Sequence, residues 1–141
     1  MKVLVLNGPN LNMLGKRPKE HYGTKTLEEI NNLMIDAAKD FEFIFYQSNY
    51  EGDLVTKIQE AVLNCYDAII INPAAYTHTS VAIHDALEMF NGQKVEVHLS
   101  KVDEREEFRK VNFVRDVVDK TFSGKFEASY IDALMYLKNE K

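Results

Sequence analysis

The sequence has a single cysteine, no apolar run long enough to cross a membrane, and no spacing typical of metal ligands. Cys65 alone excludes an internal disulfide, and because it falls on the apolar face of a predicted helix, we expect it in the core. The four histidines are scattered, so no metal site is predicted. The N-terminal segment MKVLVLNG breaks at Gly8 and Pro9, too early for a signal peptide, and we therefore expect a cytoplasmic protein.

Motifs that would identify several enzyme classes are also missing. Neither GxGxxG nor GxxxxGK occurs, so the usual glycine-rich phosphate loops are absent. No GxSxG elbow is present, which argues against Ser80 and Ser100 as nucleophiles. The formal net charge of −5 disfavours nucleic acid as a partner, although Lys16, Arg17 and Lys19 form one local basic cluster.

Strand-like and helix-like segments alternate along the chain. Apolar and β-branched runs predict strands at 2–6, 41–47, 69–71, 94–99 and 121–126. Apolar residues at helical spacing predict helices at 26–39, 53–65, 80–90 and 128–137, and Thr26 with Glu29 fits a capping box at the start of the first. With no linker or repeat, residues 1–141 are predicted to form one α/β domain. Its core is a flavodoxin-like, doubly wound, five-stranded parallel sheet in three α/β/α layers. The pattern does not determine the strand order.

Polar side chains follow the third predicted strand directly. The buried run up to Ile71 ends at Asn72, and Thr77, His78 and Ser80 lead into the next helix. Because ligands of open α/β sheets bind beyond the carboxyl ends of the strands, this stretch predicts a functional site. The alternative is an ordinary strand-to-helix turn in which Ser80 caps the helix.

The fourth predicted strand has a polar face. Glu96 and His98 alternate with Val95, Val97 and Leu99, whereas a central parallel strand is usually apolar on both faces. One interpretation places His98 in the site at the carboxyl end of the strand. The other is an edge strand with a solvated face.

The segment after this strand contains a second capping box. Ser100 and Asp103 predict a helix whose N-terminal N–H groups would suit a small carboxylate, with Arg109 able to contact the same ligand. Arg105 and Arg109 would lie one turn apart on that helix. The alternative is that both arginines belong to a solvated charged face.

Residues 15–25 form a polar loop without an apolar period, marked by Gly15, Pro18 and Gly23, which we predict to be a mobile lid. The alternative is a disordered surface connection. The lid would bring Arg17 and Tyr22 over the polar residues at the strand ends, namely Asn10, Asn72, His78, His98, Ser100 and Arg109. Together these residues form an acid/base set without a metal.

Six segments in this order resemble the type II 3-dehydroquinate dehydratases, a family of the shikimate pathway. They are NGPNLNMLG, Arg17 with Tyr22 and Gly23, QSNYEG, INPAAYTHTSVAIHDAL, VEVHLS and REEFR. The resemblance implies a lyase that converts 3-dehydroquinate to 3-dehydroshikimate and water by acid/base elimination through an enolate. It implies no cofactor, no metal and no covalent intermediate.

The resemblance also implies catalytic roles. Tyr22 would accept the proton next to the ketone. Because free tyrosine has a pKa of about 10, the phenol needs nearby cations to ionise; Arg17 matches the family's arginine for this task, with Lys16 as a second candidate. Asn10 would position a water at the enolate oxygen. His98 would protonate the departing hydroxyl, with Glu96 as its orienting partner.

For binding, the resemblance implies that Asn72 and His78 hold ring hydroxyls, the backbone of Leu99 and Ser100 holds the carboxylate, and Arg109 holds another hydroxyl. Asp85 matches a family residue that reaches the site of a neighbouring subunit. The family assembles as trimers gathered into a dodecamer, so a homo-oligomer is expected, acting on a small-molecule substrate and not on nucleic acid or membranes.

The chain departs from the family pattern at several positions. Pro18 and Lys19 alter the start of the lid, His84 replaces an arginine, and Lys101 replaces an asparagine. Residues 110–112 replace a His-x-Ser-like continuation, and KFEAS precedes Tyr130 in place of a glycine-rich run. Two alternatives therefore stay open: a catalytically impaired member of the family, or a flavodoxin-like small-molecule-binding module.

Overall fold

A computed structural model describes residues 1–139, which form one parallel sheet covered by helices on both faces. The five strands are β1 (Lys2–Asn7), β2 (Glu42–Gln47), β3 (Ala68–Asn72), β4 (Gln93–His98) and β5 (Lys120–Ser123). Their order is β2-β1-β3-β4-β5, and every pair is parallel. This is the flavodoxin-like arrangement, which confirms the predicted fold class. The strand order reverses between β1 and β3, so a crevice opens beyond their carboxyl ends.

Two helical layers enclose the sheet. The helices are α1 (Lys19–Tyr22), α2 (Leu27–Ala37), α3 (Glu51–Leu63), α4 (Val81–Glu88) and α5 (Glu127–Asn139). Val3 and Val5 pack with α2 and α5, while Leu4 and Leu6 pack with α3 and α4. Because successive side chains of a strand point to opposite faces, a strand covered on both sides is apolar at every position. This explains the unbroken apolar run of β1.

Side-chain caps begin two of the helices as the sequence predicts. The Thr26 hydroxyl accepts a hydrogen bond from the Glu29 backbone N–H at 3.2 Å, and the Glu29 carboxylate accepts one from the Thr26 N–H at 3.0 Å. The Ser80 hydroxyl accepts from the Ile83 N–H at 2.9 Å. Each cap contributes about 1 kcal/mol by satisfying N–H groups that have no partner within the helix. Ser80 is therefore a cap, as one interpretation held, next to residues that also line the site.

The polar face of β4 lies inside the protein. β4 pairs with β3 on one side and β5 on the other, and Glu96 has no exposed surface. The edge-strand interpretation is therefore wrong. Glu96 and His98 need polar partners here, because burying a charged group without them is costly.

The helix predicted from Ser100 and Asp103 does not form. Two short 3-10 turns, Val102–Glu104 and Glu107–Lys110, occupy the segment, and neither has a side-chain cap. The physical reason is the lack of an apolar stripe: Val102 is buried, but Phe108 is 61% exposed. A helix with so little apolar surface gains little by packing on a sheet. Ser100 instead accepts a hydrogen bond from Arg105.

Cys65 is exposed, so its predicted place in the core is wrong. α3 ends at Leu63, and Cys65 has a left-handed backbone with φ of 54°. The chain therefore turns out of the helix before the cysteine can continue its apolar face. Among residues 1–139, no helix is both long and apolar enough to span a bilayer.

Candidate active site

A cavity of about 140 Å³ opens beyond the carboxyl ends of β1, β3 and β4. It is lined by most of the residues that the sequence predicts for the site: Asn10, Arg17, Tyr22, Asn72, His78, His98, Leu99, Ser100 and Arg109. Glu96 lies behind His98. Asp85 is exposed on α4, and Lys16 is exposed in the segment before α1; neither lines this cavity.

Asn72, at the end of β3, lines the cavity and forms its floor, next to the buried amide of Asn7 at the end of β1. Asn7 and Asn72 are paired in register. The buried Tyr130 hydroxyl on α5 donates to Asn7 Oδ1 at 2.6 Å and accepts from Asn72 Nδ2 at 2.9 Å. Asn72 Oδ1 accepts from the Ala74 N–H at 3.1 Å, which fixes the amide orientation. Burial raises the pKa of Tyr130, so it stays a neutral hydroxyl.

The loop after β1 is held close to the loop after β3. The Gly8 N–H donates to the Asn72 carbonyl at 2.8 Å, and a Cβ on Gly8 would lie 2.4 Å from the Pro73 carbonyl oxygen. Only glycine permits this approach. Asn10 follows with a left-handed φ of 69°, a conformation that asparagine tolerates, and its N–H donates to Asn49 Oδ1 at 3.0 Å. The Asn10 side chain is thereby placed at the cavity.

His98 and Glu96 form a buried pair. His98 Nε2 lies 2.6 Å from Glu96 Oε2, and the His98 side chain is 4% exposed. Because the carboxylate can only accept, Nε2 donates, and Nδ1 is the ring nitrogen left for the cavity. The carboxylate therefore fixes the orientation of the imidazole ring.

The carboxylate of Glu96 is kept ionised by its neighbours. Burial would raise its pKa, but hydrogen bonds from His98, Asn112 and Thr121, together with the charge of His98, hold the pKa below the ordinary value. Asn112 Nδ2 donates to Oε2 at 2.9 Å, and the Thr121 hydroxyl donates to Oε1 at 2.8 Å. Neither residue was among the predicted site residues.

His78 offers an acceptor to the cavity. Its Nδ1 donates to the Val111 carbonyl at 2.7 Å. Burial lowers the pKa of His78, and the positive charges of His98 and Arg109 lower it further, against the opposing effects of the Val111 bond and Glu96. The neutral ring therefore presents Nε2 without a proton, suited to accept from a hydroxyl group.

Tyr22, the last residue of α1, lies between two guanidinium groups. Arg17 stacks on the phenol ring with its Cζ 3.6 Å from the ring centroid. Arg105 Nη1 donates to the Tyr22 hydroxyl oxygen at 3.0 Å and to the Ser100 hydroxyl at 3.3 Å. Two guanidinium groups therefore contact the Tyr22 side chain. Arg105, and not Lys16, is thus the second cation at Tyr22.

Arg105 is the residue whose placement sequence reasoning missed. Its side chain is 12% exposed, which contradicts the solvated face considered for it, and it lines the cavity. Within residues 1–139, its buried Nε has no hydrogen-bond partner. The available signal was its position in the same strand-end segment as Ser100 and Arg109.

Three guanidinium groups, Arg17, Arg105 and Arg109, make the cavity strongly cationic in a chain of net charge −5. Burial lowers the pKa of Arg17, and the charges of Arg105 and Arg109 lower it further, while Tyr22 opposes the change. Glu106 balances Arg109 from outside: Arg109 Nε donates to it at 2.7 Å, and this bond lowers the pKa of Glu106 to about 2. The cavity therefore suits a small anionic ligand that also has hydroxyl groups.

Comparison with known proteins gives a consistent result. Residues 1–138 match the family described as Dehydroquinase class II. The chain is 51% identical over 140 residues to a 3-dehydroquinate dehydratase of Bartonella tribocorum, covering 98% of this chain and 93% of that protein. It is 46% identical over 141 residues to a 3-dehydroquinate dehydratase of Fusobacterium nucleatum subsp. nucleatum. This match covers 97% of this chain and 96% of that protein.

The fold agrees with these matches. A crystal structure of a type II dehydroquinase from Butyrivibrio crossotus superposes with a TM-score of 0.94 at 46% identity, covering 98% of this chain and 97% of that one. The family match extends over nearly the whole chain, and sequence and structure lead to the same proteins. The chain therefore belongs to the class II dehydroquinase family.

Proposed function

We propose that this chain is a 3-dehydroquinate dehydratase, a hydro-lyase of the shikimate pathway that converts 3-dehydroquinate to 3-dehydroshikimate and water. Family membership supports the substrate and the reaction. The structural observation that supports the mechanism most directly is one cavity lined both by Tyr22, between two guanidinium groups, and by His98, backed by Glu96.

The first step is removal of a proton from the carbon next to the ketone. The phenolate of Tyr22 takes the proton, and the electron pair moves onto the ketone oxygen to give an enolate. Arg105 and Arg17 favour the phenolate, through the 3.0 Å hydrogen bond and the stacked guanidinium respectively. Asn10 holds a water against the enolate oxygen, where a donor stabilises the developing charge.

The second step is loss of the hydroxyl group. His98 gives a proton from Nδ1 to the departing hydroxyl, which leaves as water while the enolate collapses to the carbon–carbon double bond of the enone. Glu96, 2.6 Å from Nε2, stabilises the imidazolium before transfer and fixes the ring. The proton taken by Tyr22 and that lost by His98 are balanced by exchange with solvent after each turnover.

Binding follows from the remaining residues of the cavity. Asn72, with its amide fixed by Tyr130 and Ala74, and neutral His78 hold ring hydroxyls. The backbone of Leu99 and Ser100 holds the carboxylate in a cationic surrounding, and Arg109 holds a further hydroxyl. No helix N-terminus contributes here, because the segment after Ser100 forms 3-10 turns.

The lid, the assembly and the cellular location belong to the same proposal. Residues 15–25 close over the substrate, and Asp85, exposed on α4, serves the site of a neighbouring subunit. We expect trimers gathered into a dodecamer, as in the family, acting in the cytoplasm. Analytical ultracentrifugation measures the assembly: a monomer at micromolar concentration would contradict it.

The activity is tested by following the absorbance of the enone when the purified protein meets 3-dehydroquinate. We expect turnover by the wild type that collapses in Tyr22→Phe and in His98→Ala, with Tyr50→Phe, which removes a hydroxyl from an exposed tyrosine, as the control. A folded wild type without turnover would leave only an impaired relative or a binding module. Full activity of Tyr22→Phe would refute the role of Tyr22 as base.

A further inference from the structure

The carboxylate behind His98 is held by donors from three separate parts of the chain. Glu96 Oε2 accepts from His98, the second residue along the same strand, and from Asn112 at 2.9 Å. Oε1 accepts from Thr121 at 2.8 Å; Thr121 lies on β5 and is the register partner of Glu96. Because each oxygen has its own partners, the carboxylate cannot rotate without breaking a buried hydrogen bond.

Asn112 is itself held in one orientation. Its Oδ1 accepts from the backbone N–H groups of Val114 and Arg115, both at 2.8 Å. An amide whose oxygen is used in this way must direct its Nδ2 donor to the other side, where Glu96 lies. The hydrogen bond to Glu96 is therefore determined by the backbone turn at 112–115.

The same segment reaches the second histidine of the cavity. The Val111 carbonyl accepts from His78, and the Phe113 N–H donates to the Thr77 carbonyl at 2.9 Å. Residues 111–113 thus contact both the residue proposed to bind a hydroxyl and the carboxylate behind the proposed acid.

We propose that Asn112 and Thr121 are positioning residues for the elimination step, which hold Glu96 so that it keeps the His98 ring oriented toward the departing hydroxyl. This inference rests on the proposed function. Neither side chain lines the cavity, so each acts through Glu96 and not on the substrate. Their effect should therefore fall on the step that uses His98 and spare the step that uses Tyr22.

Two pairs of variants isolate the two donors. Thr121→Val removes the hydroxyl at nearly constant size, and Thr121→Ser restores a hydroxyl. Asn112→Asp keeps an oxygen for the Val114 and Arg115 N–H groups but replaces the donor to Glu96 by a second carboxylate. Asn32→Asp, which alters an exposed amide on α2, is the control for the change of charge.

The readout compares two rates on the same sample in deuterium oxide: formation of the enone, and exchange of the hydrogen next to the ketone in unreacted substrate. We expect Thr121→Val and Asn112→Asp to form product about tenfold more slowly, part of the roughly 10²- to 10⁴-fold that general acid catalysis supplies. Exchange of the hydrogen next to the ketone should persist in these variants. The ratio of the exchange rate to the rate of enone formation should therefore rise. KM should stay within about twofold, since the cavity lining is unchanged.

Thr121→Ser and Asn32→Asp should behave like the wild type. The inference is overturned if Thr121→Val and Asn112→Asp keep wild-type rates, or if exchange and product formation fall together, as a general loss of structure would cause. Failure of the proposed function looks different, because the wild type itself would then form no enone.

Discussion

Arg105 donates a hydrogen bond from Nη1 to the hydroxyl oxygen of Tyr22 at 3.0 Å, joining residues 83 positions apart in the sequence. The same guanidinium group bonds Ser100 at the end of β4. Tyr22, at the end of α1, is thus connected to the segment after β4 through one buried arginine. This contact gives Tyr22 a cation in addition to Arg17, and it places the phenol at the cavity.

Replacement of Arg105 should therefore damage the proposed proton abstraction. We expect Arg105→Ala to lower kcat by roughly 10- to 100-fold, because a hydrogen bond to a charged group contributes about 1.5–3 kcal/mol. Arg115→Ala, at an exposed arginine paired with Asp103, is the control, and its kcat should equal that of the wild type. Steady-state kinetics with 3-dehydroquinate measures both variants. Equal rates for the two would show that Arg105 does not support the phenolate.

Loss of the Tyr130 hydroxyl should destabilise the floor of the cavity. In Tyr130→Phe, Asn7 Oδ1 loses a donor and Asn72 Nδ2 loses an acceptor, both in a buried place. We expect the free energy of unfolding to fall by about 1–3 kcal/mol and KM to rise, because Asn72 is no longer held. Urea denaturation measures the first effect, with Tyr50→Phe, at a 73% exposed side chain, as the control. An unchanged midpoint would argue against this hydrogen-bond chain.

Substitution by alanine should have opposite effects on stability at Gly8 and at Gly52. The new Cβ in Gly8→Ala meets the Pro73 carbonyl oxygen at 2.4 Å, so the loops after β1 and β3 must separate, and both stability and activity should fall. Gly52 lies in α3 with no atom within 4 Å of the added Cβ, and alanine there should stabilise by up to about 1 kcal/mol. Thermal unfolding compares the two variants. A tolerated Gly8→Ala would contradict the close approach of the loops.

Acid should weaken the fold through Glu96 and His78. Both groups have a lower pKa in the folded protein than their ordinary values of 4.5 and 6.5. The unfolded chain therefore binds more protons, and stability rises with pH. The contribution of His78 is lost as the pH falls below 6.5, and that of Glu96 is lost below 4.5.

Urea denaturation at a series of pH values tests this expectation. His78→Gln removes the titrating ring, so the loss of stability between pH 7 and pH 5, which spans the ordinary pKa of 6.5, should become smaller. The wild type, measured in parallel, gives the reference slope of the free energy of unfolding against pH. If the free energy of unfolding of the variant changes with pH as steeply as that of the wild type, His78 does not contribute to the pH dependence of stability.

The predictable part of the fold rests on short-range patterns. The apolar run 69–71 indicated a strand buried on both faces, and β3 is buried throughout. Thr26 and Glu29 indicated a helix start, and both hydrogen bonds of the capping box are present. Such signals depend on residues within a few positions of one another, so they can be recognised in a single sequence.

The candidate site was predictable for a related reason. Parallel strands place their carboxyl ends at one edge of the sheet, so Asn72 and His98 were expected near each other before the strand order was known. Both line the cavity.

Long-range packing decided the rest. The sequence by itself determined the alternation of strands and helices, the caps, and the polar residues at the strand ends. Only the tertiary structure decided that β4 is interior, that Arg105 turns inward to Tyr22, and that Asn112 and Thr121 enclose Glu96. The physical reason is that burial and hydrogen-bond partners are properties of the whole fold, whereas helical periodicity and capping are properties of a few neighbouring residues.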